Sequence, residues 1–205
     1  MAHPSRTGRA KALYKKVIQY PFIDPQIVWD EQNNEWHTGQ RALASGIGKA
    51  DVHVVLQDDA IINEYFFTNL VKALESAPVR TAISLYTGTV RPFNKRVGNA
   101  VANANGASWL KGYLLFWGVA VAIPTNHLEP LLEYCEGETE PYDTRIGYFY
   151  FRNMMPVLYT NPSLVDHDDD MPTIVGDRPD LVQGRRVARN MIDADHEWNK
   201  TIIEI

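Results

Sequence analysis

The stretch Val52-His53-Val54-Val55-Leu56-Gln57-Asp58-Asp59 decides how this chain is read. Its first five residues are nearly all apolar over strand length, which predicts a central strand covered on both faces. The strand stops abruptly at Gln57-Asp58-Asp59. Two carboxylates at the end of an apolar strand are costly unless something positive meets them. A hard divalent cation such as Mg²⁺ or Mn²⁺ is the natural candidate, since such ions are held by one or two carboxylates together with substrate phosphates. The alternative is that both acids cap a following helix, whose N-terminal dipole favours negative charge.

Outward from that strand, helical and extended patterns alternate. Ala10, Leu13, Tyr14 and Val17 share one face of a helix over Arg6 to Ile18, closed by Pro21. Gln26 to Asp30 reads as a short strand ending in a carboxylate, with a loop to Gly39 and a short helix over Gln40 to Ser45 after it. Beyond the acid pair, helical periodicity covers Glu64 to Glu75 and Thr81 to Tyr86 reads as a strand. A helix over Phe93 to Asn103 follows the loop Thr87 to Pro92. Leu114 to Ile123 is apolar and broken by Gly118, giving one bent strand or two. Thr125 is placed to cap a helix over Asn126 to Cys135, and Asp143 to cap or open one running to Asn153. Pro156 to Tyr159 reads as a short strand, and Asn161 to Gly184, rich in Pro, Gly and Asp, as a long loop.

This alternation predicts an α/β layered domain with a mostly parallel central sheet over residues 1–184, followed by a C-terminal helix or arm at 185–205. Ligands in such folds bind at the carboxyl ends of the strands, which singles out Asp30, Asp58, Asp59 and the loop after Tyr86. The chain has 205 residues, 20 basic and 25 acidic, for a formal net charge of −5. That balance argues against broad, sequence-independent nucleic-acid binding, which needs a basic face. No apolar run approaches the ~18 residues of a membrane span, and Met1 to Lys16 lacks a signal-type apolar stretch, so a cytoplasmic location is expected. The single cysteine, Cys135, is read as a small buried hydrophobe.

A second constellation is Pro162-Ser163-Leu164-Val165-Asp166-His167-Asp168-Asp169-Asp170. A histidine among carboxylates offers mixed nitrogen and oxygen ligation suited to Mn²⁺, although acid-rich loops are often just solvated. His167 follows an apolar pair that should anchor it.

These pieces together resemble a known family. Ile27-Val28-Trp29-Asp30 and Val54-Val55-Leu56-Gln57-Asp58-Asp59-Ala60 look like the nucleotide-binding half of GT-A-fold, Rossmann-like, nucleotide-sugar-dependent glycosyltransferases. Trp117 to Pro124, Tyr142-Asp143-Thr144-Arg145-Ile146-Gly147 and Pro162 to His167 resemble the acceptor half, in order and approximate separation. The resemblance spans about Ala2 to Asp168 and is closest to the small bacterial and phage-encoded types.

The resemblance implies transfer of a sugar from a nucleoside diphosphate donor, a uridine diphosphate sugar first among them, to an acceptor hydroxyl. The acceptor would be a glycan or a modified base of phage DNA, and a phage-encoded enzyme would work in the host cytoplasm. Asp59 would ligate the metal, Mn²⁺ or Mg²⁺, with His167 completing the site. Asp58 would contact metal or ribose, because Gln57 stands where the family usually has another acid. Pro4, Ser5, Arg6 and Asp30 would hold the base and ribose, and Arg91 would reach the diphosphate. The family's first strand is nearly missing, with only Met1, Ala2 and His3 before that turn. Asp143 would be the catalytic base, inverting the anomeric carbon in a single displacement, or else an ordinary helix cap. Arg145 would pair with Asp143 or a phosphate. Trp109, Tyr113 and Trp117 suit stacking on a sugar or base, or core packing. Two other readings remain. A sugar nucleotidyltransferase would need a Gly-rich phosphate loop, and Ser5-Arg6-Thr7-Gly8-Arg9 has one glycine. A non-catalytic nucleotide-sugar-binding module would explain Gln57.

Overall fold

The computed structural model describes residues 1–89, 94–170 and 185–205. The chain enters through a single 3-10 turn, Pro4–Arg6, and continues into α1 (Thr7–Val17). Ala10 is buried and Leu13 and Val17 half-buried, as the spacing predicts. The segment from Gln26 to Asp30 does not form the expected strand. Only Trp29 bridges, parallel to Ala2, with Ala2 N–H donating to Val28 O and Asp30 N–H to Ala2 O. Helix α2 (Glu35–Ala44) starts five residues earlier than its apolar pattern suggests, because the Asn34 side chain caps it, accepting from His37 N–H at 3.0 Å.

Strand β1 (Val52–Leu56) is followed at once by β2 (Ala60–Ile61), then α3 (Phe66–Ser76), β3 (Ala82–Ser84) and α4 (Asn94–Ala102). Next come β4 (Trp109–Gly112), β5 (Ala120–Pro124), a 3-10 turn (Thr125–His127) and α5 (Leu128–Tyr134). The described chain then runs through α6 (Tyr142–Arg152), β6 (Val157–Thr160), β7 (Asp166–His167) and β8 (Ile202–Glu204). The apolar run from Leu114 yields one strand, β5, and Thr125 caps nothing: its hydroxyl donates to Ala50 O.

The molecule is α/β, with a six-stranded sheet in the order β1-β5-β3-β6-β4-β8. Two expectations are corrected here. The sheet is mixed rather than mostly parallel: β1 with β5, β3 with β5 and β4 with β6 are antiparallel, and only β3 with β6 and β4 with β8 are parallel. Strand β1 is also an edge, with only Val55 buried, and the fully buried strands are β5, β3 and β6. An unbroken apolar run reports burial on two faces but says nothing about which strand lies beside it.

Trp109, Leu43, Phe66, Leu110, Leu128 and Tyr150 are among the largest fully buried side chains around this sheet. Helices α2, α5 and α6 pack on one another. Residues 185–205 contain no helix and run as an arm tied down by Arg189 N–H to Thr87 O, Ile192 N–H to Ser163 O and Trp109 Nε1 to Asn199 O, ending in β8. Among the described residues no helix is long and apolar enough to cross a membrane.

Candidate functional site

At the end of β1 the acid pair meets a cation of the protein itself. Arg6 Nη1 lies 2.8 Å from Asp58 Oδ1 and 2.9 Å from Asp59 Oδ2, with all three side chains nearly buried. The helix-capping alternative does not apply, since β2 and not a helix follows the pair. Asp58 is engaged at both oxygens, because its Oδ2 accepts the His3 N–H at 2.7 Å. It ties the N-terminal turn to the strand end.

Asp59 is differently placed. Strand β7 pairs antiparallel with β2, setting His167 opposite Ala60, and Asp168 N–H donates to Asp59 O. His167 Nε2 thereby lies 3.4 Å from Asp59 Oδ2, while Asp59 Oδ1 and His167 Nδ1 are buried with no hydrogen-bond partner. Burial pushes the Asp59 carboxyl up, but His167 and the Arg6 guanidinium outweigh it and hold the group below the usual carboxylate range. Arg6, Asp58 and Asp59 together leave one net negative charge.

Of the other residues assigned to the donor, Pro4 and Ser5 lie on the turn that is bonded to this pair. Pro4 and Ser5 are exposed on the turn that Arg6 closes, and Ser5 Oγ lies 2.7 Å from His3 Nδ1. Asp30 Oδ1 accepts from Gln32 N–H and Asn34 N–H, both at 3.1 Å, shaping the loop that leads to the α2 cap. Burial acts to raise the Asp30 pKa, and those hydrogen bonds, chiefly, bring it below the ordinary value. Arg91 lies outside the described residues.

Asp143 is the second residue of α6 and half-buried, accepting Thr144 N–H at 2.8 Å. Burial pushes its pKa up against that hydrogen bond. It has a companion that the sequence reading missed. Glu35, in the first turn of α2, is pushed up to about 7 by burial and then by the charges of Asp143 and Asp59. Its only sequence signal was an acid just after a capping Asn, the commonest of helix starts. Two glycines make room for this corner. A Cβ on Gly39 would lie 2.3 Å from Tyr142 Cδ2, and one on Gly118 would lie 3.2 Å from Asp143 Cβ.

Some of the remaining assignments are corrected, and for Trp109 and Trp117 the core-packing alternative holds. Arg145 donates to the backbone oxygens of Glu140 and Cys135 and lies 4.4 Å over the Trp36 ring, so it pairs with neither Asp143 nor an open phosphate site. Trp109 and Trp117 are buried in the core, Trp117 edge-on to Tyr86, Phe116 and Tyr159, which leaves Tyr113 as the exposed aromatic of the three. Asp168 pairs with Arg9 and Asp169 with Arg186, so these two acids are not merely solvated.

Among the described residues no group of three or more His, Cys, Asp and Glu side chains is assembled to hold a metal unaided. The donor set that exists is Asp59 and His167, one hard oxygen left unpartnered and one imidazole beside it. It fits an ion that takes two protein ligands and completes its shell with phosphate oxygens and water. No protein-family model matches the chain, and no curated protein matches it.

Proposed function

We propose that the protein is a metal-dependent glycosyltransferase of GT-A type, moving a sugar from a nucleoside diphosphate donor to an acceptor hydroxyl. The observation that carries this reading is the unpartnered Asp59 oxygen beside His167 at a strand end, with Glu35 in the electrostatic reach of both Asp59 and Asp143. A divalent cation bound by Asp59 and His167 would offset the charge on the departing diphosphate. His167 and then Arg6 hold Asp59 ionised, and Asp58 locks the turn carrying Pro4 and Ser5 against the strand end, where the nucleoside would lie.

The acceptor oxygen attacks the anomeric carbon as the bond from that carbon to the diphosphate oxygen breaks. The acceptor proton passes to Asp143, and the nucleoside diphosphate leaves with the bonding pair. A raised pKa suits Asp143 to this task, since a base is most effective when its pKa approaches the working pH. Glu35 is a second carboxyl near Asp143, itself pushed up to about 7 by burial and then by the charges of Asp143 and Asp59. In a single displacement the configuration inverts.

Incubated with Mn²⁺ and a panel of nucleotide sugars, uridine diphosphate sugars first, the protein is expected to release nucleoside diphosphate. Asp59→Asn should lower that release by at least about tenfold with the fold intact. An unchanged rate removes the metal site, and pyrophosphate as product replaces glycosyl transfer by nucleotidyl transfer. The acceptor class is read by supplying a glycan or a duplex with hydroxymethylated bases: the proposal needs transfer to a hydroxyl of one of them.

A further inference from the structure

Helices α2 and α6 converge at their N-terminal turns. The Arg145 guanidinium of α6 lies over the Trp36 ring of α2, 4.4 Å from its centroid. One turn further along α2 the Tyr142 ring is held along both of its edges. A Cβ on Gly39 would lie 2.3 Å from Tyr142 Cδ2, and one on Gly118 would lie 3.0 Å from Tyr142 Cδ1. This packing brings Glu35 and Asp143, the acids of the two first turns, into each other's field.

Among the described residues no cation meets them. The Glu35 carboxyl makes no hydrogen bond or ion pair there. Asp143 Oδ1 accepts from Thr144, and Asp143 Oδ2 has no partner among the described residues. Tyr142 Oη is fully buried without a hydrogen bond, in the field of Glu35 first and then of Asp143. Arg145, on the same helix, is engaged with Glu140 O and Cys135 O instead. We propose that this corner holds a primary ammonium, and that the acceptor is a glycan carrying a free amino group beside its reacting hydroxyl.

The inference rests on the reading of Asp143 as the base. Its free Oδ2 takes the proton of the acceptor hydroxyl, while the neighbouring ammonium donates to Glu35 and to Tyr142 Oη. An ammonium brings donors and no acceptor, which suits a corner of oxygens that lack donors. It also supplies the missing positive charge. A neutral sugar would leave the like charges of Glu35 and Asp143 opposed in a partly buried place, and a phosphodiester backbone would add a third negative charge. Without a ligand, burial and those charges push Glu35 up to about 7, and an ammonium in contact would return it to the ionised form. The bond so made is charge-assisted on both sides.

The test is a titration of the full chain, its glutamate carboxyl carbons isotope-labelled, with glucosamine, glucose and N-acetylglucosamine at about pH 6, where Glu35 is mostly protonated. Glucosamine should bind at least about tenfold more tightly than the other two and move the Glu35 carbon signal to its ionised position. Glu35→Gln should remove the preference. Tyr142→Phe, which keeps the ring between the two glycines, should reduce it severalfold. Equal binding of the three sugars, or a preference that survives Glu35→Gln, overturns the ammonium site. Transfer to a hydroxymethylated duplex without transfer to an amino-bearing glycan overturns the acceptor. Either failure with Asp59-dependent release of nucleoside diphosphate intact leaves the transferase reading standing, and loss of that release with the amine preference intact overturns the transferase reading instead.

Discussion

Arg6 does at close range what the acid pair demands, and its contribution is measurable. Removing it leaves two buried carboxylates without their cation, so Arg6→Ala should cost about 3 kcal/mol of unfolding free energy. Arg6→Lys should recover only part, because an ammonium offers a point charge in place of the planar guanidinium. The two carboxyls with opposite shifts give opposite pH dependences. The folded pKa of Asp59 is depressed, so its contribution is present above the ordinary carboxylate pKa and is lost as pH falls through the folded value. That of Glu35 is raised, so its contribution is complete below the unfolded value and is lost as pH rises towards about 7. Glu35→Gln should therefore abolish a loss of about 3 kcal/mol between about pH 4 and 8, as followed by chemical denaturation across pH. The importance of Asp58 and Asp59 was legible because local burial and charge conflict within one short stretch. The Arg6 partnership was not, since the charge that resolves the conflict lies more than fifty residues away in the chain.

Between elements, the close approach of α2 and α6 shapes the Asp143 corner. Gly39→Ala would drive a Cβ into the Tyr142 ring, which is fully buried and has little room to move. A loss of about 2 kcal/mol in thermal unfolding is expected, and under the proposed mechanism glycosyl transfer falls further because Asp143 is the next residue. The terminal strand offers a second test. Strand β8 covers the outer edge of β4, and Ile205 is buried against Gly112. Deleting residues 200–205 should lower the melting temperature and promote association through the bared β4 edge, visible by light scattering. Helices α1, α3, α4 and α6 were read from the sequence within a few residues, because 3.6-residue periodicity is a local signal. The strands were less legible. Trp109–Gly112 carries too few alternating residues to stand out, and Ile202–Glu204 is a strand only because β4 lies beside it.

For the whole molecule, the N-terminal turn bounds the site through its bonds to Asp58 and Asp59. Mn²⁺ with uridine diphosphate should raise the unfolding free energy by about 2.7 kcal/mol at a hundredfold excess over the dissociation constant, and Asp59→Asn should erase that rise. Calorimetry of thermal unfolding with and without the pair of ligands checks it. By itself the sequence determined the helices, the apolar strand and the acid pair at its end, and the alternation that makes the fold α/β. These are consequences of side chains within a few positions of one another. The tertiary structure alone decided that β1 is an edge, that the sheet is mixed, that Arg6 pairs with both acids, and that Glu35 comes within the field of Asp143 and Asp59. Strand order and ion pairing are set by which distant segments lose least on being desolvated together, a competition among all segments at once that no local pattern records.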